Sequence, residues 1–267
     1  MRLQKALIIA LGLSCFAVYA ADAKSTDSAV DKTVKAVKKE WKAPVKKPKP
    51  VSPWKGTNAQ GGGVINTGNT DSQSYNFGGL LQYAYKKWLF KENTTYQRTS
   101  ARPNGTTADK LYTMARADYS LSDHNFLYGS SDYTRDMFNG YVYVVNINAG
   151  YGRRLHVPKN MTLDVFAGPG VRLDELNSTR EKRTLASVQL GATYGWQITQ
   201  NTQLQEQLQT NIARDNTHSF SKTALITSLT DKLSFSVSYL IENDSQPAPG
   251  KENINTTTEF NLIYNFV

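Results

Sequence analysis

From Trp54 to the end of the chain, apolar and polar residues alternate with a period of two, the pattern of strands whose successive side chains leave on opposite faces. Thr184, Ala186, Val188, Leu190, Ala192, Tyr194, Trp196 and Ile198 share one face, against Ser187, Gln189, Gly191, Thr193, Gly195 and Gln197 on the other. Tyr141, Tyr143, Val145, Ile147, Ala149 and Tyr151 do the same against Asn146, Asn148, Gly150, Gly152 and Arg154. The last run sets Ile254, Thr256, Thr258, Phe260, Leu262, Tyr264 and Phe266 against Asn255, Thr257, Glu259, Asn261 and Asn265, with Ile263 out of pattern. Turn residues divide the sequence into twelve such runs, at 54–67, 71–85, 88–99, 108–120, 125–137, 141–154, 161–174, 183–198, 202–213, 219–229, 233–243 and 253–267. Each is long enough for a tilted membrane strand, which needs about 9–11 residues.

An unbroken apolar row on one face with a polar row on the other is what a wall between hydrocarbon and a wet lumen requires. The predicted fold is therefore all-β, a transmembrane antiparallel up-and-down β-barrel of about 12 strands. Runs 125–137 and 219–229 read in either phase, so the pattern admits ten to fourteen strands. Glu206 falls on the apolar face of Leu204, Leu208 and Ile212, so it belongs near an interface or the phase there is reversed.

The connections support the same fold. With both mature termini in the periplasm, even-numbered connections are expected to be short and odd-numbered ones, such as 100–107, 175–182 and 244–252, longer. Aromatic residues gather at run ends: Tyr85, Trp88, Tyr119, Phe126, Tyr151 and Trp196 towards the inner edge, Tyr75, Tyr96, Tyr133 and Tyr141 towards the outer. Two belts are expected where side chains meet lipid headgroups.

Composition alone would mislead. A hydrophobic content of 39% and a mean hydropathy of -0.49 suggest a soluble protein, but polar lumen-facing residues dilute the hydropathy of any barrel. Residues 1–20 read as a secretory leader, with Arg2 and Lys5 before an apolar stretch and Val18-Tyr19-Ala20 as the cleavage site. Its apolar run falls short of the roughly 20 residues of a spanning helix. Cys15, the single cysteine, lies inside this leader, so the mature chain is predicted to have no disulfide.

Residues 21–53 differ again, with nine lysines against four acids; they carry +5 of the +9 formal charge, and residues 54–267 only +2. Val30, Val34, Val37 and Trp41 recur at helical spacing before a Lys- and Pro-rich stretch. The segment reads as a periplasmic linker, or as a basic arm for anionic lipid, peptidoglycan, a periplasmic partner or the barrel mouth. Export excludes nucleic acid. The partners expected of such a chain are outer-membrane lipid and lipopolysaccharide, periplasmic chaperones and the barrel-assembly machinery, with Tyr264 and Phe266 as the terminal assembly signal.

Trp54-Lys55-Gly56, the turn Gly68-Asn69-Thr70-Asp71-Ser72, the stretch from Asp132 to Phe138 and Gly150-Tyr151-Gly152 resemble the YdiY-like, salt-induced outer-membrane proteins, domain-of-unknown-function family 481. The resemblance covers nearly all of 54–267. It implies an outer-membrane barrel and no particular activity.

In this phase Lys91, Arg116, Asp118, Arg154, Asp164, Arg172, Asp174, Arg183, Glu242 and Glu259 point inward. Both signs occur in similar number, which suits a salt-bridged lumen that braces the wall or a pore that orients a small charged or zwitterionic solute. Gly150, Gly152, Gly168, Gly170, Gly191 and Gly195 face inward too, either for curvature or to admit the arm or a loop, and Pro169 among them suggests a bulge. Catalysis has little support: His218 stands beside Ser219 and Ser221, yet nothing orients it. No metal-ligand spacing or phosphate-binding glycine loop occurs, and no cofactor is expected. Two function classes follow: a narrow channel for small polar solutes, or a non-conducting barrel with a structural, envelope-stress or binding role.

Overall fold

A computed structural model describes residues 52–66, 72–101, 105–136, 138, 140–214, 216–247 and 252–266. The leader, the arm up to residue 51 and the turn at 68–71 lie outside these. The described chain is a closed barrel of twelve antiparallel strands, each paired with its neighbours in sequence and the first with the last. The strands are β1 (Asn58–Asn66), β2 (Ser72–Tyr85), β3 (Trp88–Ala101), β4 (Gly105–Ser120), β5 (Asn125–Asp136), β6 (Tyr141–Arg154), β7 (Met161–Leu176), β8 (Lys182–Gln197), β9 (Thr202–Ala213), β10 (Thr217–Ser228), β11 (Leu233–Asp244) and β12 (Ile254–Asn265). The first strand begins later than the sequence suggests, because Gly56, at φ 95°, closes a turn from Pro53 that carries Trp54 onto the ring of Tyr83.

The start of β1 and the end of β12 define a terminal rim; the opposite end is the loop rim. The expected contrast in connection length is slight. β4, β7 and β8 run on through residues read as loops, so the wall itself is taller on the loop side.

The apolar rows face outward as expected: Val188, Leu190, Leu208, Leu225, Phe260, Leu262 and Tyr264 are all exposed on the outer wall. Ile263 turns inward and is buried. Glu206 is in the phase the sequence assigned and faces outward, four residues into β9 and away from its end, so placement at an interface does not explain it. The Ser221 hydroxyl, at 2.7 Å, and the Thr223 hydroxyl donate to its carboxylate from β10.

Two belt aromatics turn out to be internal. β5 takes the phase that sends Leu127 out and Phe126 in, leaving Phe126 only 2% exposed. Tyr141 is turned inward by a register shift between Tyr141 and Tyr143. No such shift occurs at Pro169: the β6–β7 register is the same at Asn148–Gly170 as at Tyr151–Ala167, and the ladder merely lacks the pairs between.

Candidate functional site: the lumen

The inner face divides by height. In the terminal half, Phe126, Tyr128 and Phe166 form a buried cluster. The Arg116 guanidinium lies 4.2 Å from the centre of the Phe166 ring and 4.5 Å from that of Tyr128, while its Nε donates to Asp118 Oδ1 at 2.7 Å. Arg154 covers Phe126 at 5.1 Å and donates to the Ser120 hydroxyl. Lys91 and Asp164 complete this group, close enough to interact with Asp118, Arg116 and Arg154. A cation on aromatic faces, neutralised by a carboxylate, is a way to fill a wall-enclosed space without an unpaired charge.

The inward glycines serve this packing. A side chain at Gly152 would overlap the Phe126 ring, and one at Gly191 the Phe166 ring. Gly150 and Gly168 face each other across β6 and β7, where a methyl on either would strike the opposite backbone, and Gly170 makes room for Asn148. Neither curvature alone nor an inserted arm is needed to explain Gly152 and Gly191; two phenyl rings occupy the space.

The loop half is a chamber of about 170 Å³, with Asn93, Tyr112, Asp132, Asn146, Gln207 and Asn211 among its walls. Lys110 on β4 donates to both carboxylate oxygens of Glu242 on β11, at 2.6 and 2.7 Å. Those strands stand five apart around the wall, so the ion pair is a strap across the lumen. Lys222 reaches over β11 to Glu259 at 3.0 Å, and Ser238 donates to the same oxygen. Arg172 and Arg183 both hold Asp174, at 2.7 and 2.8 Å, with the Tyr141 ring against both guanidinium groups.

The ten charges read as inward fall into separate groups, and three of them, Arg172, Glu242 and Glu259, line the chamber. Lys91, Arg116, Asp118, Arg154 and Asp164 gather in the terminal half; Arg172, Asp174 and Arg183 cluster near the loop rim; Glu242 and Glu259 each take a lysine the sequence reading missed. Lys110 shares the parity of Arg116 on one strand, which was signal enough to find it. Lys222 lies on β10, whose phase the sequence left open. His218 is not brought to a serine: its Nδ1 lies 3.1 Å from Asp244 Oδ1 inside the chamber, while the Ser221 hydroxyl bonds Glu206 on the outer wall.

A closed antiparallel barrel with an apolar exterior and a polar, charged interior is an outer-membrane β-barrel. The chain belongs to the family described as Protein of unknown function, DUF481, whose model matches residues 59–266. It is 27% identical over 214 residues to the uncharacterized protein YdiY of Escherichia coli (strain K12), covering 78% of this chain and 81% of that protein. Among solved structures it resembles the COG4313 outer membrane channel from Pseudomonas putida F1, at 13% identity and a TM-score of 0.51, covering 82% of this chain and 99% of that one. The NanC porin is similar as well, at 8% identity and a TM-score of 0.50, covering 79% of this chain and 99% of the porin. At such identities the likeness is one of fold.

Proposed function

We propose that the protein is a narrow outer-membrane channel for small polar solutes, held closed in this conformation by the strap and the aromatic plug. The observation that carries this reading is the polar chamber in the loop half, whose walls present both charge signs and many amides. A braced barrel has no need of such a space. Opposed charges and amide groups suit a solute that is zwitterionic or carries several hydroxyls. In this reading the leader is cleaved after Ala20, the loop rim faces outward and the terminal rim faces the periplasm. The basic arm at 21–53 then hangs where peptidoglycan lies.

The plug favours a second reading, a non-conducting barrel that binds through its chamber and arm. Planar-bilayer recording separates the two. Wild type is expected to open rarely, and Lys110→Met combined with Phe126→Ala and Phe166→Ala to conduct steadily, because the strap is then cut and two of the three plug rings are gone. Silence from both proteins, each shown to be folded by its heat-dependent gel migration, would refute the channel. Retention of wild type on isolated peptidoglycan sacculi, lost on deleting 21–53, is expected for the arm; equal retention would return it to a linker.

A further inference from the structure

The wall is not equally closed all the way round. β1 pairs with β12 through five residues, from Asn58–Asn265 to Gly62–Asn261, whereas β1 pairs with β2 over nine and β7 with β8 over fifteen. Among the described residues, Ile254 to Phe260 of β12 are paired with β11 and have no partner on the β1 side. β1 continues to Asn66 but pairs there with β2 alone. In hydrocarbon an open strand edge is costly, because every backbone N–H and C=O lacks water as a substitute partner. The ladder stops at a clip: Asn76 Nδ2 on β2 donates to Asn261 Oδ1 on β12 at 2.6 Å. This bond passes over Gly62 of the intervening strand, where any side chain would collide with Asn261 and the Phe260 carbonyl.

The unpaired stretch borders the chamber. Glu259, which lies within it, lines that cavity together with Gln60 and Asn76 from the other side of the seam. Outward of the same edge stand Phe260 and Ile254, both exposed on the outer wall. A polar chamber thus meets an apolar exterior across an unpaired strand edge.

We propose that the loop half of the β1–β12 seam is a lateral opening, through which a single-chain amphiphile places its charged or zwitterionic head in the chamber while its tail stays in the bilayer. Lys222 and Glu259 give the head one cation and one anion, and the free edge of β12 gives it backbone donors and acceptors. The inference rests on the same chamber as the proposed channel, but its test reads binding without ion flow, so a silent barrel does not decide it.

The leader holds the chain's single cysteine, so cysteines can be placed at will in the exported protein. Continuing the observed register sets residue 65 opposite 258. Ile65→Cys with Thr258→Cys, bridged by a short bis-methanethiosulfonate that dithiothreitol removes, locks the seam of full-length protein in proteoliposomes. The probe is a fluorescent lysophosphatidylcholine. Binding is expected to fall at least tenfold in the locked protein and to recover on reduction. Lys222→Met is expected to weaken the probe without affecting heat-dependent migration. Equal binding in locked and unlocked protein would overturn the proposal, placing entry at the loop rim, as would no binding by wild type. A polypeptide cross-linked in cells to the thiol of the Thr258→Cys variant in place of lipid would overturn it too, making the edge a docking site for a strand.

Discussion

Gly191→Ala tests the plug where the ring it meets is packed on its far side. A methyl group there overlaps the Phe166 ring, and that ring is backed by the Arg116 guanidinium at 4.2 Å and the Tyr128 ring at 5.2 Å. The ring has nowhere to retreat, so the variant carries an overpacking cost of about 1–3 kcal/mol. Alanine lowers the entropy of the unfolded chain relative to glycine, which returns about 0.5–1 kcal/mol. The net loss expected is therefore up to about 2.5 kcal/mol. Phe166→Leu alone loses about 1–2 kcal/mol of buried surface, but it also vacates the space the methyl needs. The double variant should thus be more stable than the sum of the two predicts, by a coupling of about 1–3 kcal/mol, the whole overpacking term. Urea unfolding in phospholipid vesicles, followed by tryptophan emission, measures all four proteins. Additivity to within about 0.5 kcal/mol, or a Gly191→Ala protein at least as stable as wild type, would refute the packing argument.

Glu206→Leu is expected to stabilise the folded barrel by about 1–2 kcal/mol, since a carboxylate facing lipid costs more than its two hydroxyl bonds return; a loss in the same urea titration would mean that wall does not face lipid. Phe266 is exposed and packs edge-on against Tyr264 at 5.3 Å, with its backbone N–H bonded to the Thr57 carbonyl. Phe266→Ala should lower the amount of heat-modifiable protein in outer membranes without changing the folded barrel's stability. Normal membrane levels would remove Phe266 from the assembly signal.

The strands were legible because lipid imposes a strict rule on every second residue. Each predicted run holds an observed strand, and β6 and β9 match theirs end to end. What the sequence hid lies mostly where that rule is relaxed. β5 offers Phe126 and Tyr128 on one face and Leu127 and Tyr133 on the other, so hydropathy cannot choose, and the choice depends on whether Gly152 leaves room for a ring. β10 sends Ser219, Ser221 and Thr223 outward, the last two to bond Glu206, so the usual contrast between faces is missing. Tyr141 escaped because a bulge adds a residue that alternation cannot register. Phe166 was within reach: it shares parity with Asp164 and Gly168, both already read as inward, but an aromatic in a polar row was not read as a plug.

Height, invisible to a pattern of period two, separates the two readings of the lumen charges. Bracing and solute binding compete only if all ten charges share one environment, and they do not. In the terminal half the charges are packed among three aromatic rings on the consecutive strands β3 to β7, and the β1–β12 ladder at that height is intact. In the loop half Lys110 reaches across the lumen to Glu242 and Lys222 over β11 to Glu259, and the same ladder is missing. This arrangement predicts a rigid base with a separable upper wall. Breaking Lys110 from Glu242 removes a tie between β4 and β11, on opposite sides of the weak seam, while Arg116 and its rings hold the base in register. Both proposals, passage of a solute through the loop rim and entry of an amphiphile between β1 and β12, therefore require opening only in the half that contains the chamber.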